Sequence, residues 1–203
     1  FEENFVPKGA LYEEKRNIAR ERLLKLAGSL VGYEPDECSF LIATSGRYEY
    51  KNKGIDLFIE AVRRLKETYT GEKEIIAFVM VPAWSGNARE DLALRMNAVE
   101  NFKTALPDPF ITHALYNYNE DRVMSQIHNG GFSNRPEDKV KIIFIPSHLK
   151  GDDGILNLSY YDVLIGLDAT AFPSYYEPWG YTPLESIAFG VPTVTTDLSG
   201  FGL

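Results

Sequence analysis

Short apolar runs alternate along this chain with longer segments in which apolar residues recur every three or four positions. Three uninterrupted runs, Phe40–Thr44, Glu74–Val81 and Val140–Ile145, predict strands that are buried on both faces. Two further runs, residues 169–174 and 191–197, predict a fourth and a fifth strand. Strands of this kind are typical of a parallel sheet that is covered by helices.

Helical periodicity fills the segments between these strands. Residues 11–30 carry an apolar face opposite a charged face, and the apolar face is made by Ala19, Leu23, Leu26 and Leu30. The clearest stripe lies in residues 54–69, and we also predict helices over residues 88–106, 120–131, 158–168 and 182–190. Together these patterns predict a doubly wound, Rossmann-like α/β domain with a parallel sheet and helices on both faces.

Ligands of a doubly wound sheet bind in the loops at the carboxyl ends of its strands. Three such loops are rich in polar and aromatic residues: "SGRYEYKNKG" after the first strand, "PAWSGN" after the second and "SYYEPWGYTP" after the fourth. No G-x-G-x-x-G follows any predicted strand, so the sequence does not support dinucleotide binding.

The composition narrows the class of protein. The 203 residues carry a formal net charge of −8, which argues against a general nucleic-acid-binding surface. The one cysteine excludes an internal disulfide and favours a reducing compartment, so we expect a cytoplasmic protein. No apolar run approaches the roughly 18 residues that a membrane helix needs. Because the chain starts without methionine and stops in the glycine-flanked "TTDLSGFGL", we expect it to be a fragment.

Two carboxylates, Glu177 and Glu185, stand in the loop and helix start after the fourth strand. Thr182, Pro183 and Glu185 fit a capping box with proline at the first helical position, so one interpretation gives Glu185 a capping role. In the other, the free N–H groups and the dipole of that helix start favour an anion such as phosphate. Glu177 precedes Pro178 at the end of a predicted strand, where a ligand-binding acid and a solvated loop acid both stay open.

Two cationic residues, Arg47 and Lys53, lie in the loop after the first strand. Arginine can hold a phosphate bidentately and lysine supplies a compact charge, so the two would neutralise a leaving diphosphate without metal. The alternative is that they are ordinary solvated charges. The three histidines, His113, His128 and His148, show no metal-ligand spacing, and we expect them to be structural or solvated.

Three segments resemble the glycogen synthases of the animal–fungal type, a family of retaining glucosyltransferases with the two-domain GT-B architecture. They are "GRYEYKNKGIDLFIEA", "ITHALYNYNEDRVMSQIHNGGFSNRPEDKVKIIFIPSHL" and "AFPSYYEPWGYTPLESIAFGVPTVTTDLSGFG". The resemblance covers nearly the whole chain, although the helical insertion before the second segment is short. It implies that residues 1–203 are the nucleotide-sugar-binding, C-terminal domain, truncated at its C-terminal end and lacking the N-terminal GT-B domain.

The resemblance also implies roles for the residues that match the family's motifs. Arg47 and Lys53 would act as catalytic residues by contacting the diphosphate of the donor. Glu177 would lie at the transferred glucose, as a positioning and electrostatic residue rather than a proven nucleophile. Glu185 would bind the ribose hydroxyls, and Tyr160 would stack on the nucleobase.

The start of the last helix would bind the donor through its backbone. The resemblance implies that amides in the segment formed by Tyr181, Thr182, Pro183 and Leu184 hold the distal phosphate. Gly180, just before this segment, would let the backbone approach the ligand closely.

The implied activity is transfer of glucose from a nucleotide-glucose, with UDP-glucose favoured, to the non-reducing end of an α-1,4-glucan. We expect neither cofactor nor metal, and we expect no nucleic-acid or membrane partner. The glucan would bind mainly through the missing N-terminal domain, so the isolated chain should bind donor weakly and transfer nothing. Homo-oligomerisation of the full-length protein stays open, as do two other functions: a sucrose- or trehalose-type GT-B transferase, and a non-catalytic nucleotide-sugar-binding module.

Overall fold

The predicted strands and helices are present in the computed structural model, which describes residues 5–202. The strands are β1 (Phe40–Ser45), β2 (Ile75–Met80), β3 (Ser85–Ala88), β4 (His113–Leu115), β5 (Val140–Phe144), β6 (Ala169–Phe172) and β7 (Thr193–Thr195). The α-helices are α1 (Ala10–Val31), α2 (Ile55–Thr68), α3 (Glu90–Asn97), α4 (Arg122–Asn129), α5 (Tyr160–Ile165) and α6 (Tyr181–Ala188). A single turn of 3-10 helix covers Tyr118–Glu120.

Five of these strands form one parallel sheet in the order β5-β2-β1-β6-β7. From β1 the chain proceeds to β2 and β5 on one side, and then returns past β1 to add β6 and β7 on the other. The strand order therefore reverses between β1 and β6. In open α/β sheets, the crevice outside the carboxyl ends of the strands at such a switch point is where ligands bind.

Both faces of the sheet are covered by helices, as predicted. On one face, α1, α3 and α5 pack against alternate residues of the central strands, among them Leu41, Ile76 and Phe78. On the other face, α2 and α4 pack against Ala77 and Val79. The four predicted core residues of α1, which are Ala19, Leu23, Leu26 and Leu30, are fully buried.

The predicted helix over residues 88–106 is wrong in its extent, because α3 ends at Asn97. Beyond it the chain folds back against the end of α1, where the Leu106 N–H donates to the Leu30 carbonyl at 2.8 Å. The Arg95 guanidinium donates to the carbonyls of Ser29 and Thr104, at 2.9 and 2.5 Å. These bonds give partners to the Ser29 and Leu30 carbonyls, which lie in the last turn of α1, and to the Thr104 carbonyl after α3.

The "PAWSGN" segment is not an open loop throughout, because its last three residues enter β3. This strand pairs antiparallel with β4 in a separate two-stranded sheet, with Ser85 opposite Leu115 and Ala88 opposite His113. Within residues 5–202, no helix is both long enough and apolar enough to cross a membrane.

Candidate functional site

The two loops that carry the predicted site residues lie side by side at the switch point, because β1 and β6 are neighbours in the sheet. The Tyr175 N–H, in the loop after β6, donates to the Asn52 carbonyl in the loop after β1 at 3.0 Å. Gly54, at the end of that first loop, lies so close to Pro173 that an added Cβ would sit 1.8 Å from the Pro173 carbonyl oxygen. The loops that carry Lys53 and Glu177 therefore meet at the same edge of the sheet.

Lys53 and Glu177 form an ion pair between these loops. Only 15% of the Lys53 side-chain surface and 13% of the Glu177 side-chain surface is exposed to solvent, so Glu177 is not an ordinary solvated loop acid. Both residues line a cavity of about 380 Å³, the outer cavity, together with Arg47, Glu49, Asn52, Tyr176, Pro178, Trp179 and Tyr181. The paired ammonium and carboxylate groups therefore form part of one wall of the outer cavity.

Arg47 reaches the same outer cavity but is far more exposed than Lys53. Its side chain retains 80% of its exposure, and its Nε atom lies 3.0 Å from the Glu49 carboxylate. An exposed guanidinium held by one carboxylate can exchange that partner for an incoming anion at little desolvation cost.

A second cavity of about 270 Å³, the inner cavity, opens beside the first. Its walls include Ser45, Gly46, His148, Tyr160, Thr182 and Glu185. The two cavities adjoin at consecutive residues: Gly46 and Thr182 line the inner cavity, and their chain neighbours Arg47 and Tyr181 line the outer one. A ligand with an aromatic base at one end and charged groups at the other could therefore occupy both.

Tyr160 lies in the wall of the inner cavity, and its hydroxyl is 2.8 Å from Ser45 Oγ. Burial raises the pKa of Tyr160 above its ordinary value, so the phenol stays neutral. The anchored ring is suited to contact a flat, uncharged group, while its proposed stacking on a nucleobase stays a prediction.

The capping-box interpretation of Glu185 is wrong. Helix α6 begins at Tyr181, its N-cap is Gly180 in the left-handed conformation, and no side chain caps it. Pro183 is therefore the third helical residue rather than the first. The Glu185 carboxylate instead accepts a hydrogen bond from the Tyr161 hydroxyl at 2.9 Å.

The start of α6 offers fewer free amides than the sequence suggested. Pro183 has no N–H, and the Leu184 N–H already donates to the Gly180 carbonyl at 3.3 Å. Among residues 5–202, the amides of Tyr181 and Thr182 have no acceptor, so only these two could bind a phosphate without rearrangement. Gly180 itself packs against Phe201, since an added Cβ would lie 2.5 Å from the Phe201 Cβ.

Several residues of the site were missed by sequence reasoning. Ser45, His148 and Tyr161 belong to the inner cavity or support it, yet each is a common residue type in an unremarkable local pattern. Outside both cavities, Asp56 is buried beneath the loop after β6 and accepts hydrogen bonds from Lys51 at 2.6 Å and from Tyr175 at 3.3 Å. The contacts that bring these groups together join distant parts of the chain, and no local signal announces them.

Of the three histidines, His148 lines the inner cavity, whereas His113 has the expected structural role. His113 is buried, with its ring nitrogens 2.8 Å from Thr112 Oγ1 and from the Asp153 carbonyl, which is a structural role. Cys38 is exposed and unpaired. Across the described part of the chain, no three His, Cys, Asp or Glu side chains cluster in a way that could hold a metal ion. The expectation that the site needs no metal stays a prediction.

The chain is similar to glycogen synthases from fungi and animals. Glycogen [starch] synthase of Neurospora crassa is 31% identical over 224 aligned positions, which cover 84% of this chain and 31% of the relative. Isoform 2 of Saccharomyces cerevisiae is 33% identical, covering 80% and 31%. The human liver protein is 28% identical, covering 82% and 31%. The chain thus spans less than a third of the length of these curated relatives.

Among solved structures, the C-terminal domain of a glycosyl transferase group 1 family protein (LpcC) from Francisella tularensis overlaps with 96% of this chain and 68% of its own. The TM-score is 0.47 and the sequence identity 15%, a likeness too loose to add to the account of the fold. The family model described as glycogen synthase, in contrast, matches residues 25–104 and 88–203. That match and the identity to the fungal enzymes show that this chain belongs to the glycogen synthase family.

Proposed function

We propose that this chain is the donor-binding domain of a retaining glucosyltransferase of the glycogen synthase type. The complete enzyme transfers glucose from a nucleotide-glucose, with UDP-glucose the favoured donor, to the non-reducing end of an α-1,4-glucan. In this proposal the base enters the inner cavity beside Tyr160, and Glu185 accepts hydrogen bonds from the ribose hydroxyls. The diphosphate and the glucosyl group extend into the outer cavity.

The observation that carries this proposal is the meeting of Lys53, Arg47 and the start of α6 around one pair of cavities. Two cations and two free amides, those of Tyr181 and Thr182, offer the donors that a diphosphate requires. Two carboxylates, Glu177 in the outer cavity and Glu185 in the inner one, supply acceptors that suit the hydroxyl groups of a sugar and a ribose.

The proposed chemistry follows from the family resemblance. The bond between glucosyl C1 and the distal phosphate oxygen breaks, and the acceptor hydroxyl oxygen bonds to C1 from the same face, which retains the configuration. The proton of that hydroxyl passes to the departing phosphate oxygen. Lys53 and Arg47 stabilise the charge that develops on the diphosphate, without a metal ion, and Glu177 stabilises the positive character at the glucosyl ring.

The binding of the acceptor and the cellular location are also proposals. We assign acceptor binding mainly to parts of the enzyme outside this chain, since the relatives are more than three times as long. We also propose a cytoplasmic location, which the exposed and unpaired Cys38 supports because free thiols persist in a reducing compartment.

A calorimetric titration of the chain with UDP tests the proposal. We expect UDP to bind, and we expect Lys53→Met to weaken its binding about ten- to hundredfold, as for loss of one charged hydrogen bond. The matched control is Lys51→Met in the same loop, because Lys51 lies 2.6 Å from Asp56 and does not line either cavity. Equal losses in the two variants, or no UDP binding by the unmodified chain at millimolar concentration, would contradict the proposal.

A further inference from the structure

The hydrogen-bonding of Glu185 is asymmetric. Its Oε1 atom accepts from the Tyr161 hydroxyl at 2.9 Å, and no other side-chain hydrogen bond to this carboxylate exists within residues 5–202. Glu185 lines the inner cavity, whereas Tyr161 does not. One carboxylate oxygen, Oε1, is thus fixed by the Tyr161 hydroxyl, while the carboxylate still faces the cavity and can accept hydrogen bonds from a ligand.

Tyr161 is itself held firmly. Its ring stacks on the Phe189 ring with centroids 5.0 Å apart and an interplanar angle of 11°, and the Phe5 ring meets it edge-on at 5.1 Å. It is the second residue of α5, whose N-cap Ser159 accepts from the Asp162 N–H. Helix geometry and ring packing therefore fix where the Tyr161 hydroxyl lies.

The Tyr161 hydroxyl remains a hydrogen-bond donor to Glu185 because its pKa is raised. Burial, with the hydrogen bond to Glu185 second, raises the pKa of the Tyr161 hydroxyl, so it stays protonated and keeps donating. The last torsion of a glutamate side chain is broad, and a carboxylate without a partner samples many orientations. A donor fixed on one oxygen removes that freedom before a ligand arrives, which lowers the entropy cost of binding.

We propose that Tyr161 is a positioning residue for the donor: it orients the Glu185 carboxylate so that this group accepts hydrogen bonds from the ribose hydroxyls of the nucleotide. This inference rests on the proposed function and assigns Tyr161 an effect on one part of the ligand only. Removing the Tyr161 hydroxyl should weaken recognition of the ribose and leave recognition of the base and the diphosphate unchanged.

Titrations of the chain with UDP and with 2′,3′-dideoxy-UDP test the inference. We expect the unmodified chain to prefer UDP by about tenfold, a factor typical of hydrogen bonds to a charged group. In Tyr161→Phe this preference should fall to about two- or threefold, through weaker binding of UDP alone. In the background of Glu185→Ala, the same substitution should change neither affinity.

Tyr12→Phe is the matched control. It also removes a tyrosine hydroxyl next to Phe189, but that hydroxyl donates to the Phe189 carbonyl at 2.8 Å and not to Glu185. We expect the full preference for UDP to persist in this variant. A thermal unfolding scan of each variant checks that it is folded.

Two results would overturn the inference alone: an unchanged preference for UDP in Tyr161→Phe, or equal weakening of both nucleotides, which is the mark of a general structural role. A failure of the proposed function is distinguishable, because the unmodified chain would then bind neither nucleotide, and the inference would fall with it.

Discussion

At the scale of single residues, the pairing of Lys53 with Glu177 controls how the site would respond to a ligand. Both side chains are largely buried, so removing either partner would leave an uncompensated charge. An incoming diphosphate would compete with Glu177 for the same ammonium group. The carboxylate released in this way would be free to face a positive centre or a hydroxyl of the sugar.

The buried His113 gives a prediction about pH. Its Nε2–H donates to the Asp153 carbonyl and its Nδ1 faces the Thr112 hydroxyl, and burial lowers its pKa from the ordinary 6.5. The unfolded chain therefore binds a proton more readily than the folded one. The neutral ring makes its full contribution to the free energy of unfolding above about pH 6.5. Below that pH the unfolded chain binds the proton first, so stability falls until the pH passes the lowered pKa of the folded state.

Urea unfolding at about pH 7.5 and about pH 5.5 measures this effect. We expect the free energy of unfolding to drop further in the unmodified chain than in His113→Gln, which cannot titrate, by at most about 1.4 kcal/mol for one pH unit below the unfolded pKa. His128→Gln is the control, because His128 is exposed. A pH dependence that survives in His113→Gln and disappears in His128→Gln would contradict the assignment.

The sequence identified the charged residues of the site but not their partners. Arg47, Lys53 and Glu177 lie in polar loops that follow buried strands, and a strand followed by such a loop is a local feature. The pairing of Lys53 with Glu177 joins residues 124 apart in sequence, and only the neighbouring positions of β1 and β6 bring them together. The capping role assigned to Glu185 was wrong because it depends on which residue begins the helix, and a sequence pattern leaves that start uncertain by a residue or two.

At the scale of elements, the loops after β1 and β6 interlock at Gly54. This glycine is the N-cap of α2 with φ 65°, and its backbone lies against the Pro173 carbonyl. On the other side, the loop after β6 is held by the segment after β7, where the Gly200 N–H donates to the Glu177 carbonyl at 2.8 Å. The loop that carries Glu177 is thus fixed on both sides.

Gly54→Ala tests this interlock against a matched glycine. Gly131 has the same φ of 65°, and the nearest atom to an added Cβ there is Lys66 Nζ at 3.7 Å, an ordinary contact distance. We expect Gly131→Ala to lower the free energy of unfolding by about 1 kcal/mol through backbone strain. Gly54→Ala carries the same strain and must also displace Pro173, which adds about 1–3 kcal/mol.

Thermal and urea unfolding of both variants provide the comparison. Gly54→Ala should additionally weaken UDP binding, because any shift of Pro173 moves the loop that leads to Glu177. Equal effects on stability from the two substitutions would show that the loops are not interlocked at Gly54.

The elements that sequence patterns predicted best are those with strong periodicity. The strands β1, β2 and β5 and the helices α1 and α2 lie within two residues of their predicted bounds. The end of α3 was missed because the segment after it bonds to other groups: the Leu106 N–H donates to the Leu30 carbonyl in α1, and the Thr104 carbonyl accepts from the Arg95 side chain. Tertiary contacts of that kind override local propensity and leave no periodic trace.

At the scale of the whole molecule, the two ends of the sheet have different tasks. The carboxyl ends of β1 and β6 carry the candidate site. At the amino ends of the strands, Lys141 is fully buried, with its ammonium 2.6 Å from the Glu74 carboxylate and 4.5 Å from the centre of the Tyr33 ring. Glu74 also accepts from Ser39 and Tyr33, which completes a buried polar cluster far from the proposed ligand.

Substitutions in this cluster should change stability but not donor binding. We expect Glu74→Gln to lower the free energy of unfolding by about 3–5 kcal/mol, because it leaves the Lys141 charge uncompensated. The double variant Lys141→Met, Glu74→Gln should recover much of that loss. Urea unfolding measures the stability, and titration of the folded double variant should give the UDP affinity of the unmodified chain; a double variant no more stable than Glu74→Gln would contradict this account.

A crystal structure of the chain with UDP would show whether the proposed site binds the donor. We expect the diphosphate to lie within hydrogen-bonding distance of Lys53 Nζ and of the Tyr181 and Thr182 amides, with Lys53 drawn away from Glu177 and the base beside Tyr160. UDP bound elsewhere on the chain, or bound in these cavities with the Lys53–Glu177 pair intact and no phosphate contact to Lys53, would contradict the proposal.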